Sequence, residues 1–322
     1  MAALPTLRQM QFLTALARQR SFSRAAEVCF VSQSTLSAGI KEMEAILGGA
    51  LVDRTNRAFA LTPLGEEVTR RAEEVLTLAQ EMVRVAEARP PLTGELRLGL
   101  IPTIAPFLLP RLVPLLSERY GDLHLALRED ITERLLGDLR AGRLDMAVLA
   151  LPVEGADAAT GLETSGFADD PFVLLVRPDH ALAGKGTVES DDLGAERLLL
   201  LEDGHCLRDH ALAACRLQDR DVADAFGATS LYTLAQLVRA GAGVTLAPRL
   251  AVEQGLAEGA GLVAVPIRDQ GGAPSRRLGL VWRRGSGREA EAEALVAVLR
   301  VASQSPVSRS PAMADSPSLK DG

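Results

Sequence analysis

The 322-residue chain has three cysteines and four histidines, no Cys-x-x-Cys pair, and no apolar run that approaches the length of a membrane span. An odd number of scattered cysteines excludes a structural disulfide framework. His124, His180, His205 and His210 lack the spacing of a zinc site, so no metal or other cofactor is expected. A bilayer helix needs about 18 or more apolar residues, which excludes a membrane partner. The opening residues, Met1-Ala2-Ala3-Leu4-Pro5-Thr6, lead into a polar helix without the apolar core of a signal peptide, and the expected location is cytoplasmic. Cysteine chemistry in such a chain is redox chemistry or nothing.

What is present describes an ordinary globular protein, with 47% hydrophobic and 24% charged residues in a length that suits two or three domains. The net charge of −7 argues against a general nucleic-acid coat. It is unevenly spread, however. Residues 1–65 carry seven basic against four acidic side chains, a net of +3, and the remainder carries −10. A basic excess confined to one end suits a small DNA-reading module.

That end reads as helices. Thr6-Leu7-Arg8-Gln9 has the form of a capping box, with Met10, Leu13 and Ala17 following at helical spacing. Ser21 caps a short second helix through Ala25, Ala26 and Val28. Ser32 opens a third, whose Leu36, Ile40, Met43 and Leu47 form one stripe, and Gly48-Gly49 ends it. The spacing of helices two and three is that of a helix-turn-helix. On the third helix, Gln33 and Thr35 occupy the first turn, where such a helix meets base edges, and Ser34, Ser37 and Lys41 lie opposite the apolar stripe. A polar face that merely meets water is the alternative. Residues 50–61 predict a two-stranded wing.

Thr62-Pro63 then starts a long helix. Val68, Ala72, Val75, Ala79, Met82 and Ala86 recur in steps of four and three, the seam of a dimerising coiled coil, unless the helix packs on its own domain. Arg89-Pro90-Pro91 stops it. Beyond Glu95, apolar strands alternate with helices, which predicts a mostly parallel sheet with helices on both faces. Ligands in such sheets sit past the carboxyl ends of strands, which draws attention to Thr103. The Ser/Pro-rich stretch from Ser303 reads as a disordered tail.

In the run LLLLEDGHCLRDHALAAC, a strand ends at Glu202 and a helix starts near Cys206, with Cys215 nine positions on. A helix N-terminus with His205 and Arg208 nearby favours the thiolate of Cys206, the form that peroxide oxidises to sulfenic acid. A second cysteine can then condense with it. A lone cysteine would read as inert core, and Cys29 does read so. Were residues 206–215 one helix, the two cysteines would lie about 13 Å apart along its axis and on opposite faces. A disulfide needs Cα atoms within about 7 Å, so bonding requires the helix to unwind.

The stretch SFSRAAEVCFVSQSTLSAGIKEMEAILGGALVDRTNRAFALTPLGEEV closely resembles the winged helix-turn-helix of LysR-type transcription regulators, departing from their usual pattern at Cys29, Ser34, Met43 and Val52. LLLLEDGHCLRDHALAAC, IPTIAPFLLP and FGATSLYTLAQLVRAGAGVTLAP resemble the OxyR branch of that family, the hydrogen-peroxide-inducible activators. The resemblance covers residues 6 to about 303. It implies a winged helix-turn-helix over 1–62, a dimerisation helix over 63–89, and a two-lobed, periplasmic-binding-protein-like α/β sensing domain over 92–303. The lobes would comprise 92–164 with 267–303, and 165–266, followed by a tail over 304–322. By position, Cys206 resembles the peroxidatic and Cys215 the resolving cysteine. Thr103, Thr132, His205, Arg208 and Asp209 resemble residues that line the peroxide site. Ser32, Gln33, Ser34, Thr35, Ser37, Lys41 and Arg54 fall on the DNA-reading surface. Implied partners are promoter DNA, RNA polymerase, further copies of the chain as a dimer of dimers, hydrogen peroxide, and a thiol reductant such as glutaredoxin or thioredoxin. Thr132 as a mere helix cap and His205 as a mere turn residue are the plainer readings, and Tyr232 stands where relatives often carry an acid.

Two other functions compete. A metabolite bound between the lobes would leave the cysteines incidental. A thiol peroxidase or disulfide reductase would need turnover, and would leave residues 6–62 without a purpose. The route from thiol to DNA is expected to run through subunit packing.

Overall fold

The computed structural model describes residues 3–53, 59–87, 90–153, 155–156, 158–202, 206–215, 228–269 and 272–304. Ser303 and Gln304, where the tail was expected to begin, are helical, and residues 305–322 lie outside the described residues. The N-terminal module is built from α1 (Leu7–Gln19), α2 (Phe22–Val28) and α3 (Gln33–Leu47). Its local signals act as the sequence predicts. Thr6 and Gln9 form a reciprocal capping box, Ser21 and Ser32 cap α2 and α3, and Gly48 ends α3 in the left-handed conformation. Phe12, Leu13, Leu16, Ala25, Leu36, Ile40 and Met43 make its core. Gly39 lets α1 and α3 close, because a Cβ there would lie 2.7 Å from the Phe12 ring. The wing is brief: β1 (Val52–Asp53) pairs antiparallel with β2 (Ala60–Leu61).

The long helix α4 (Pro63–Glu87) corrects the expected seam. Val68 packs against the module's core and Ala72 is buried, because α1 lies along this side of α4. The large apolar side chains left exposed on α4 are Leu64, Val75, Leu78, Met82 and Val83, of which only Val75 and Met82 belong to the expected repeat.

The remaining strands are β3 (Gly94–Leu100), β4 (Leu123–Glu129), β5 (Met146–Leu151), β6 (Leu162–Val176), β7 (Leu198–Leu199), β8 (Val244–Pro248), β9 (Val263–Pro266) and β10 (Ser275–Arg283). They form one sheet in the order β4-β3-β5-β10-β6-β8-β7, with β9 also paired to β6. Seven α-helices accompany them among the described residues: α5 (Ala105–Arg119), α6 (Thr132–Arg140), α7 (Cys206–Ala214), α8 (Leu231–Arg239), α9 (Arg249–Glu253), α10 (Leu256–Gly259) and α11 (Glu289–Gln304).

The expectation of a mostly parallel sheet is wrong. Only β3 with β4, β3 with β5 and β7 with β8 run parallel. β6 and β10 run antiparallel to each other and to their remaining partners. The reason is a long shared strand. Residues 162–171 of β6 pair with β10, whereas residues 172–176 pair with β8 and β9, so one continuous strand serves both lobes. Its polar first half, LETSGFADDP, hides from a hydrophobic pattern because the ladder rather than burial holds it.

Candidate functional site

The DNA-reading helix presents a polar face beside an apolar stripe in which Leu36, Ile40 and Met43 are buried and Leu47 is exposed. Ser32, Gln33, Ser34, Thr35 and Lys41 are exposed and Ser37 is half-buried. Ser32 acts first as a cap, its Oγ accepting from the Thr35 N–H at 3.1 Å. Ser23 Oγ donates to Gln33 Oε1 at 3.0 Å, which ties α2 to the first turn of α3. Arg54 lies outside the described residues.

Thr103 and Thr132 occupy matching positions past the ends of two paired strands. β3 and β4 run parallel with Leu100 opposite Glu129, and each threonine stands three residues past its member of that pair. Their settings differ sharply. Thr103 is buried, and its Oγ1 accepts from Arg276 Nη1 at 2.8 Å while its carbonyl accepts from Nη2 at 3.0 Å. Arg276 is itself fully buried on β10 and pairs with Asp170 of β6 at 3.0 Å. The other oxygen of Asp170 accepts from the Leu250 N–H at 2.9 Å. Removing one member of such a pair strands a buried charge, at a cost of about 3–5 kcal/mol. Neither Arg276 nor Asp170 was singled out from the sequence. Their only signal would have been charge inside strands, and their partners are far away in the chain.

Thr132 opens α6 but does not cap it, since Ile131 occupies the cap position. The reading of Thr132 as a mere cap is therefore excluded. Its Oγ1 is buried and has no hydrogen-bond partner among the described residues. Such an atom is costly unless something else satisfies it. Beside it, burial pushes the Asp130 carboxyl up, but hydrogen bonds from Arg128 and the Ile131 N–H, with the charge of Arg134, outweigh this and hold it below the usual carboxylate value.

Cys206 is the first residue of α7, as the sequence suggested, and α7 lies against β10, the strand that carries Arg276. Arg208 and Asp209 fall in the first turn, half-buried and exposed respectively, and His205 lies outside the described residues. Cys215 follows directly on α7, its N–H bonded to the Ala211 carbonyl at 3.0 Å. The helix is therefore continuous up to Cys215, and the cysteines stand nearly its whole length apart. Cys215 is almost wholly buried. Burial and the nearby charge of Asp269 push its thiol up to about 12, against an opposing hydrogen bond from Ser190. Cys29 is buried in the DNA-reading module, and burial raises its thiol too, with Arg8 opposing.

A cleft of about 630 Å³ opens beside this region, lined among others by Phe107, Asp130, Ile131, Glu202, Ser230 and Tyr232. Tyr232, which stands where relatives often carry an acid, lies against Phe107 with ring centroids 5.6 Å apart.

Two family profiles match the chain. The lysR-family bacterial regulatory helix-turn-helix covers residues 7–66, and the LysR substrate binding domain covers residues 89–304. The chain belongs to the LysR family of transcription regulators. It is thus a regulator and not an enzyme, and its two-part architecture is that of the family. Among its relatives, the HTH-type transcriptional regulator EstR of Acinetobacter baylyi is 40% identical over 302 residues, covering 93% of this chain and 98% of that one. The hydrogen peroxide-inducible genes activator of Escherichia coli O157:H7 is 39% identical over 296 residues, covering 91% and 94%. A solved full-length OxyR variant from Pseudomonas aeruginosa superposes with a TM-score of 0.75 at 33% identity, covering 92% of this chain and 98% of its own. This LysR regulator is therefore OxyR-like in both sequence and fold. Among the described residues, no helix is long and apolar enough to cross a membrane.

Proposed function

We propose that this regulator senses hydrogen peroxide through Cys206 and switches by forming a Cys206–Cys215 disulfide, so activating antioxidant genes from promoter DNA. The observation that carries the reading is the placement of Cys206 at the start of α7, against the Arg276 strand, with Cys215 buried at the far end. The Cys206 thiolate attacks one peroxide oxygen: an S–O bond forms, the O–O bond breaks, and hydroxide leaves to become water. Cys215 then attacks the sulfenic sulfur, an S–S bond forms, and water departs with the sulfenic oxygen and the Cys215 proton. Thr103 and Thr132 hold the peroxide, the Thr132 hydroxyl, unpartnered among the described residues, being the available group, with His205, Arg208 and Asp209 around it.

The high pKa of Cys215 sets the order of events. At pH 7 a thiol at about 12 is ionised to the order of one part in 10⁵. Buried Cys215 is inert until α7 unwinds, so Cys206 reacts first. A dithiol reductant of the glutaredoxin or thioredoxin kind restores both thiols. On the DNA side, Gln33, Ser34, Thr35, Ser37, Lys41 and Arg54 meet the duplex. Self-association runs along the exposed Val75, Leu78, Met82 and Val83 face of α4.

Brief exposure to micromolar peroxide followed by mass mapping tests the chemistry. The expected product is a cross-linked peptide joining residues 206 and 215, with Cys29 free. A Cys29 bridge as the main product would sink the assignment. The cleft beside Tyr232 favours one second reading, a regulator that takes a small metabolite there. It requires a ligand response that survives Cys206→Ser.

A further inference from the structure

α6 has different company at its two ends. Its first residue is Thr132, whose buried hydroxyl lacks a partner among the described residues. Its last turn is held by the linker helix α4 and by residues joined to it. The Ala141 carbonyl accepts from Thr77 Oγ1 of α4 at 3.3 Å. Arg283 donates to the Leu139 carbonyl and, at 2.8 Å, to the Leu144 carbonyl, while its other edge pairs with Glu81 of α4 at 2.7 Å. Arg143 pairs with Asp138 of α6 at 2.7 Å and with Glu73 of α4 at 3.0 Å. The second oxygen of Glu73 accepts from Arg18 of α1 at 3.0 Å, inside the DNA-reading module. Between these bonds the Gly142 backbone packs directly on the Thr77 side chain: Gly142 has φ +68°, and a Cβ there would fall 2.0 Å from Thr77 Oγ1.

The last carbonyls of a helix have no partner within it and carry the negative end of its dipole. Here the backbone N–H groups of residues 141–144 bond the Gly137, Asp138 and Leu139 carbonyls; Arg283 adds a cation at the Leu139 carbonyl and Thr77 a hydroxyl at the Ala141 carbonyl, and the Glu81–Arg283 pair is too buried for salt to screen it well. A nine-residue helix is about 13 Å long and moves as a unit. We propose that α6 couples the sensing site to the DNA-reading module within one protomer, passing a shift at Thr132 to α4 through the Glu73–Arg143 and Glu81–Arg283 clamp, and on to α1 through Arg18. This route rests on the peroxide reading of the Thr132 end and adds to coupling through subunit packing.

Gly142→Ala places a methyl group in the clamp, and Glu73→Gln removes the charge shared by Arg18 and Arg143 with little change of shape. Neither touches Cys206 or the exposed face of α3. The full-length chain is footprinted on a duplex that the reduced wild type selects from random sequence, before and after peroxide, while Cys206 oxidation is followed by mass. Both variants should oxidise Cys206 at the wild-type rate, and their footprints should not shift on oxidation as the wild-type footprint does. Glu73→Gln serves alone if Gly142→Ala does not fold. Variants whose footprints shift as fully as wild type overturn the clamp and leave the peroxide reading standing. A wild type whose Cys206 ignores peroxide overturns that reading and this proposal with it.

Discussion

α3 and α7 both carry their proposed working residues in the first turn, yet they are anchored in opposite ways. α3 is capped at both ends, by Ser32 and Gly48, and its buried residues, Leu36, Gly39, Ile40 and Met43, are distinct from its polar reading face. α7 is nine residues long, and the buried positions that hold it are Leu207, Ala211 and Cys215. One reactant is therefore also an anchor. In α3 the working residues can change without loosening the helix. In α7, drawing Cys215 toward Cys206 removes part of what keeps the helix in place, and a helix this short does not persist without tertiary contacts. On the proposed function, the DNA reader is a fixed surface and the sensor a segment that chemistry can dismantle.

The largest expected effects come from breaking each anchor directly. Leu36→Ala should cost about 2–5 kcal/mol and lower DNA binding in both redox states, as followed by urea unfolding and binding titration. Leu207→Ala removes a comparable buried side chain, but its loss should fall on α7. Disulfide formation should become faster, as measured by timed acid quenching, while the DNA-reading module keeps its stability. A slower disulfide in Leu207→Ala would mean that α7 is not the barrier.

On the reading face, Gln33→Ala should weaken specific binding by about 1–3 kcal/mol and leave non-specific, salt-sensitive binding largely intact. Equal losses on selected and random DNA would remove Gln33 from base reading. The two threonines give the finest contrast. Thr103→Val breaks the bond from Arg276 and leaves a buried donor, so it should cost about 1–3 kcal/mol of stability. Thr132→Val removes a hydroxyl with no partner among the described residues and should scarcely alter the melting temperature. Both should slow Cys206 oxidation. Normal rates in both variants would return them to purely structural roles.

This contrast also explains what could be read from the sequence. α3 was legible because its signals are local: a serine cap, an apolar stripe and a terminal glycine act within a few residues. The start of α7 at Cys206 was legible for the same reason. The Arg276–Asp170–Thr103 network was not, because its members come from three distant parts of the chain and meet only once β6 and β10 cross between the lobes. The α4 repeat marked an apolar helix correctly, but periodicity alone does not say which face α1 will occupy. The polar half of β6 was missed because its partner strand, not its own composition, makes it a strand.

The central claim is that Cys206 and Cys215 cannot bond while α7 is intact. Pulsed hydrogen exchange with parallel mass mapping, sampled through a single peroxide exposure of the full-length chain, tests it most directly. The amides of residues 210–215, including the Cys215 N–H now bonded to the Ala211 carbonyl, should stay protected while Cys206 becomes sulfenic acid. Their protection should vanish in step with the disulfide. A 206–215 disulfide that accumulates while those amides remain protected would contradict the account.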